Sequence, residues 1–156
     1  MYLKEMRRRT MIFLAHEIGL PYFRLTRKPR SFPYSLAGMG QMPEGTVGKA
    51  LYCFLHDNGL DLLPYYEKHD IKHVVLGYEA TEEGEVSLQC FMLANGRITV
   101  PVVLCVLFGF LTMPEYYRRF IKAWHRGRRV PALSRIDWFS LPPYPISEVR
   151  KRIGLY

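Results

Sequence analysis

Cysteine is scarce and shows no pairing pattern: the three present, Cys53, Cys90 and Cys105, sit in apolar surroundings without CxxC spacing. That argues against a disulfide scaffold, and they read as buried thiols in a reducing compartment, none of them a nucleophile. No long hydrophobic run is present either. The most apolar stretch, Ile98 to Met113, spans ~24 Å as a helix against a hydrocarbon core of ~30 Å, so it is expected to be a buried core helix rather than a transmembrane one. No secretory leader is evident, because Lys4, Glu5 and Arg7 to Arg9 precede an apolar run, Met11 to Ala15, that is too short for one. The chain is expected to stay inside the cell. Strand-like alternation, internal repeats and helix-turn-helix or other nucleic-acid motifs are all missing, so neither a β fold nor a nucleic-acid partner is expected.

What the chain has is apolar substance and unevenly placed charge. At 156 residues, 49% hydrophobic and 14% aromatic, it can bury one core, and the expected class is all-α, a single-domain irregular helical bundle. Residues 1–30 carry 8 Lys+Arg against 2 Asp+Glu, residues 31–113 carry 4 against 9, and residues 114–156 carry 10 against 3. Basic ends flank an acidic middle. Because Arg7 to Arg9 adjoin Met11-Ile12-Phe13-Leu14, and Arg118 and Arg119 follow Val100 to Leu111, a membrane surface suits the basic ends better than nucleic acid. A solvated basic surface without a partner is the plain alternative.

Residues 1–42 read as a basic N-terminal helix, Met1 to Ile18, followed by an extended aromatic arm from Tyr22 to Ser35 and a loop at Gly38, Gly40 and Pro43. Residues 43–156 form the main domain. Thr46 caps a helix from Val47 to Asp57, ended by Asn58-Gly59. A second helix is expected from Pro64 to Gly77, a third from Glu82 after a Thr81 cap, then the apolar helix, a basic one introduced by Pro114 and stopped by Pro131, and a last one capped by Ser147.

Chemistry is suggested at one place, His69-Asp70-Ile71-Lys72-His73, with Glu85 following after eleven intervening residues. Helical positions four apart share a face, so His69 and His73 can aim two imidazoles at one point. Asp70 reaches the rim of that point, either as a ligand or as the partner that fixes a histidine tautomer. A turn at Gly77-Tyr78 between two antiparallel helices would bring Glu85 opposite the pair. Two imidazoles with one or two carboxylates suit Zn²⁺ at ~2.0–2.2 Å, and two histidines with one carboxylate suit Fe²⁺ equally. The bland alternative is a solvated helix face carrying Glu67, Lys68, Asp70 and Lys72. A phosphohydrolase of the HD type also begins with His-Asp but needs further ligands on both sides, which His16, His56 and His125 do not supply at useful spacing.

These residues resemble the coenzyme Q (ubiquinone) biosynthesis protein four (Coq-four) family, whose signature is HDxxH followed after eleven residues by Glu. Three flanks agree: Pro43 to Gly48 with Tyr52, Phe54 and Leu55; Gly84-Glu85-Val86; and Ala123 to Arg128 with Asp137-Trp138. The likeness covers roughly residues 43 to 155, leaving residues 1–42 unmatched, and points to a short bacterial member. It implies an all-helical protein with His69, Asp70, His73 and Glu85 as metal ligands, Zn²⁺ first and Fe²⁺ as the alternative. It also implies a peripheral place on the membrane where ubiquinone is made. For a bacterial chain that is the cytoplasmic face of the cell membrane, for a eukaryotic one the matrix side in mitochondria.

The expected activity is therefore metal-dependent removal of the ring carboxylate from a prenylated hydroxybenzoate-type lipid at a membrane surface, as a plain or an oxidative C1 decarboxylation. The alternative is a non-catalytic scaffold that binds a prenyl lipid and organises other quinone-biosynthesis proteins around a structural metal. Either way the ligand is a prenylated quinone precursor or another isoprenoid lipid. Its tail is expected against Leu51, Leu55, Val103, Leu107 and Phe110, and its anionic head group against Arg118, Arg119 or Lys122. Exposed apolar helix faces would also permit a homodimer.

Overall fold

Helix signals in the sequence translate into nine α-helices among the described residues of the computed structural model, which describes residues 2–13, 17, 19–26 and 30–155. They are α1 (Tyr2–Phe13), α2 (Leu20–Thr26), α3 (Leu36–Gly40), α4 (Val47–Asp57), α5 (Glu67–Leu76), α6 (Glu82–Ala94), α7 (Val100–Thr112), α8 (Tyr117–Arg129) and α9 (Ile146–Arg152). No strand is present among these residues, only one isolated bridge between Thr46 and Pro145. The fold is all-α, as the missing alternation implied. It has two compact units, Arg30–Ala80 with Leu133–Tyr156, and Met1–Pro29 with Thr81–Ala132.

The first of these is built on α4 and α5. The Thr46 side chain accepts from the Lys49 amide at the start of α4, while the Val47 and Gly48 amides donate to the carbonyls of Tyr144 and Pro142, so the exposed donors of that helix end are satisfied. Val47, Leu51 and Leu55 turn inward to meet Ile71, Val75 and Leu76 of α5 in the core. At its far end α5 stops on Gly77, whose φ of 74° is left-handed backbone that favours glycine. Arg150 of α9 closes that end by donating to the Val74 and Val75 carbonyls at 3.2 and 2.8 Å.

In the other unit α6 is the central helix, buried on most of its circumference from Val86 to Met92 and packed on α7 and α8. Thr81 caps it, and Glu82, Glu83 and Glu85 occupy the first turn, where the helix dipole favours negative charge. Two glycines set how closely the helices approach: a Cβ on Gly127 of α8 would run into the Phe91 carbonyl, and one on Gly109 of α7 into the Val86 side chain. Asn95 then donates to the carbonyls of Gly127 and Val130, satisfying acceptors left over at the end of α8. On α1, Arg7 reaches the Glu115 carboxylate and the Thr112 carbonyl at the junction of α7 and α8.

Several expectations need correction. The arm from Tyr22 to Ser35 is partly helical, because α2 runs from Leu20 to Thr26, and the N-terminal helix is described only as far as Phe13, with residues 14–16 and 18 outside the described set. The stretch read as a loop at Gly38 and Gly40 is the short helix α3, started by Ser35, which accepts from the Gly38 amide. Helix α5 begins at Glu67 rather than Pro64, since Tyr65 takes a φ of 73°, a left-handed conformation no helix can contain. The last helix starts at Ile146, before the residue expected to cap it. Most consequential is α7, read as a buried core helix. Only Val102, Cys105 and Gly109 of it are buried, and its opposite side lies open.

Candidate metal centre

The HDxxH segment lies wholly on α5, and the helix carries its two histidines on one face as the spacing requires. Their ring centroids are 4.7 Å apart with planes at 66°. Each ring is held from behind. The His69 Nδ1 lies 3.2 Å from an Asp70 carboxylate oxygen, and the His73 Nδ1 lies 3.1 Å from the Tyr78 carbonyl oxygen. A carboxylate and a carbonyl oxygen accept, so each Nδ1 is the donor of its contact, and in the neutral ring the lone pair then lies on Nε2. Two imidazoles in that tautomer are in the form that ligates a divalent cation.

Aromatic contacts fix the ring planes as well. Phe54 of α4 stacks on His73 with centroids 5.4 Å apart and planes at 25°, and Tyr66 meets His69 edge-on at 5.9 Å. His73 is buried, at 3% exposure, and the Asp70 carboxylate is largely covered. Burial also shapes the entry to the helix, where desolvation raises the Glu67 carboxyl above the usual carboxylate range. Lys72, though charged, is buried with its ammonium 5.3 Å from the Trp138 ring centre, so the motif's helix is pinned against the segment that carries Asp137-Trp138.

Glu85 stands on the first turn of α6, half-buried, and accepts from the Gln89 amide at 2.6 Å. Its neighbour Glu83 accepts from Ser87 at 3.1 Å and pairs with Arg119 at 2.8 Å. Burial raises the Cys105 thiol well above its ordinary value, with the Glu85 charge adding to the effect.

The motif has a family behind it. A sequence profile described as coenzyme Q (ubiquinone) biosynthesis protein Coq4 matches residues 62–156, a span that holds His69, Asp70, His73 and Glu85. The chain belongs to that family. A Coq4 relative, the mitochondrial ubiquinone biosynthesis protein of Pyricularia oryzae, is 25% identical over 84% of this chain and 51% of its own length. The chain thus spans about half of that curated relative. In three dimensions the crystal structure of a candidate ubiquinone biosynthesis protein from Nostoc punctiforme superposes with a TM-score of 0.67 and 25% identity, over 96% of this chain and 81% of that one. The Pro43 to Leu55 flank that also carried the resemblance lies ahead of the profile's span.

The remaining residues expected at the Coq4 site differ in exposure. Leu51 and Leu55 are wholly buried in the α4–α5 core, whereas on α7 Val103 and Phe110 are half-buried and Leu107 is exposed. Arg118 and Lys122 are exposed on α8, and Arg119 beside them is engaged by Glu83. Sequence reasoning missed two supports of the motif, the Tyr78 carbonyl and Phe54. Tyr78 contributes a backbone atom that any residue would offer, so nothing in its identity could have signalled it. Phe54 is visible as an apolar helix position and in the flank that carries the resemblance, and neither shows that its ring meets His73.

Proposed function

We propose that this Coq4 chain is a metal-dependent enzyme of ubiquinone biosynthesis that removes the ring carboxylate of a prenylated hydroxybenzoate-type lipid. The family's HDxxH and Glu motif supplies His69, His73 and Glu85 as ligands of one divalent cation, Zn²⁺ or Fe²⁺, and Asp70 stands behind His69. The observation that carries this reading is that each imidazole of the pair has its Nδ1 against an acceptor, which in the neutral ring leaves Nε2 as the lone-pair donor. Two neutral nitrogens and one carboxylate leave a cation with positions for a substrate.

A cation held there supplies Lewis acidity, which stabilises negative charge as the bond between ring C1 and the carboxylate carbon breaks. The protein's own groups set the stage for that event. Asp70 and the Tyr78 carbonyl hold both imidazoles by their Nδ1 atoms and so aim the rings, and Phe54 covers one face of His73, limiting water there. In the plain reaction CO₂ leaves and a proton from water takes its place on the ring. In the oxidative form a hydroxyl from dioxygen takes that place, with a two-electron reductant carrying the second oxygen atom to water.

The test is release of labelled CO₂ from a carboxyl-labelled prenyl hydroxybenzoate by metal-loaded protein, assayed with and without dioxygen and a reductant. Release that is lost in Glu85→Gln supports the reading. Metal-loaded protein that binds the lipid yet releases no CO₂ under either condition refutes it and supports the scaffold alternative.

A further inference from the structure

We infer that the outward faces of α7 and α8 form one docking surface for an anionic lipid bilayer. This deepens the reading above, since a long-tailed substrate is reached from a membrane, but it rests on different residues. From Ile98 to Met113 the chain has no charged side chain. Along α7 the line Val102, Cys105 and Gly109 faces the core, while Val100, Leu104, Leu107 and Leu111 follow one another at helical spacing on the opposite side. That side is open: Leu111 is 81% exposed and Leu107 53%, and Ile98 just before the helix is 77% exposed. Contiguous apolar surface of this kind marks an interaction site on a protein in water.

Helix α8 continues it. Tyr117, Ile121 and Trp124 make an exposed apolar line, and directly beside it Arg118, Lys122, His125 and Arg129 make an exposed line of basic and titratable side chains with the same spacing. The two helices meet at 102° through the turn at Pro114–Tyr116. At that corner Tyr117 donates to the Phe110 carbonyl and its ring stacks on Phe110 with centroids 5.3 Å apart, joining the two apolar lines.

Charge selects the occupant. A second copy of this chain seated face to face would bring like-charged lines together, and the only acidic residue from Ile98 to Arg129, Glu115, is taken by Arg7. A bilayer with anionic headgroups answers both lines at once: hydrocarbon takes Leu107, Leu111 and Ile121, phosphates and carboxylates take the cations, and Tyr117 and Trp124 sit at the boundary where such rings prefer to lie.

The chain carries its own reporter, because of its two tryptophans Trp124 is exposed and Trp138 buried. The 156-residue chain is mixed with vesicles of phosphatidylcholine alone or of phosphatidylcholine with phosphatidylserine, then sedimented and read by fluorescence. Binding to the anionic vesicles with a blue shift that disappears in Trp124→Phe is the expected result. Leu107→Glu with Leu111→Glu, and separately Ile121→Glu, should lower the partition coefficient at least ~10-fold, and Arg118→Glu with Lys122→Glu should erase the preference for anionic lipid. Unchanged bound metal in these variants separates a failure here from a failure of the metal centre. Vesicle binding as strong in the Leu107, Leu111 and Ile121 variants as in the wild type would overturn the assignment. So would a wild type that ignores vesicles and self-associates through this face on gel filtration.

Discussion

His69 and His73 stand one turn apart on α5 with their ring planes at 66°, and they are supported differently, His69 by the side chain of Asp70 and His73 by the main chain of Tyr78. One support can be removed by mutation and the other cannot, which makes the two histidines unequal experimentally.

Replacing Asp70 with Ala should therefore weaken metal binding ~10- to 100-fold without abolishing it, the usual effect of losing the partner of a ligating imidazole. Competition against a chelating dye measures this. Complete loss, equal to that in His69→Ala, would instead make Asp70 a ligand, as the family resemblance has it.

Gly127 and Gly109 distinguish two kinds of close packing. In Gly127→Ala the new methyl meets the backbone of α6 at Phe91, which cannot yield without moving the helix, and the expected loss is ~1–3 kcal/mol in denaturant unfolding. In Gly109→Ala the obstacle is the Val86 side chain, and the loss should be smaller. Equal stabilities of Gly127→Ala and wild type would contradict the packing described for α6 and α8.

Acid should act on the tie between Arg30 and Asp137, whose paired hydrogen bonds are 2.8 and 2.9 Å. The hydrogen bond to Arg30, above all, holds the Asp137 carboxyl below its ordinary value. A carboxyl lowered by folding contributes stability that is complete above its unfolded pKa of ~3.9 and fades as pH falls toward the lower folded value. Both groups are largely exposed, so the contribution is modest and screened by salt. Urea unfolding at neutral pH and at pH ~3 should differ less in Asp137→Asn than in the wild type, and an equal acid loss in both would remove this pair from the account.

Thiol chemistry should single out one cysteine. Burial pushes the Cys90 thiol up to about 12 and the Cys105 thiol well above its usual value, while Cys53 is only half-buried. Brief treatment of native protein with iodoacetamide at mild alkaline pH should give one adduct, at Cys53, by peptide mass spectrometry, and all three on unfolding. Modification of Cys90 in the native state would contradict the burial of α6.

What could be read from sequence follows from how local each feature is. Helices α4 and α6 begin at the expected Thr46 and Thr81 because a cap is a contact within three residues of chain, and α5 ends at Gly77 for the same reason. The HDxxH pair was legible because helical geometry alone puts His69 and His73 together. The openness of α7 was not, since a helix apolar on every side carries no periodicity to show which side meets the protein. Leu51 and Leu55 meet the same limit, since their apolar character fits a lipid contact and a core equally well; both are wholly buried. The helical turn at Leu36–Gly40 was hidden by two glycines, one of which makes room for the Tyr52 ring.

The most direct measurement is elemental analysis of the chain purified without added metal, beside His73→Ala prepared in the same way, with circular dichroism of both. The account predicts about one divalent cation per wild-type chain, none in the variant, and helical content preserved in each. A metal-free wild type that takes up no cation on titration, or a variant that keeps its metal, would contradict it.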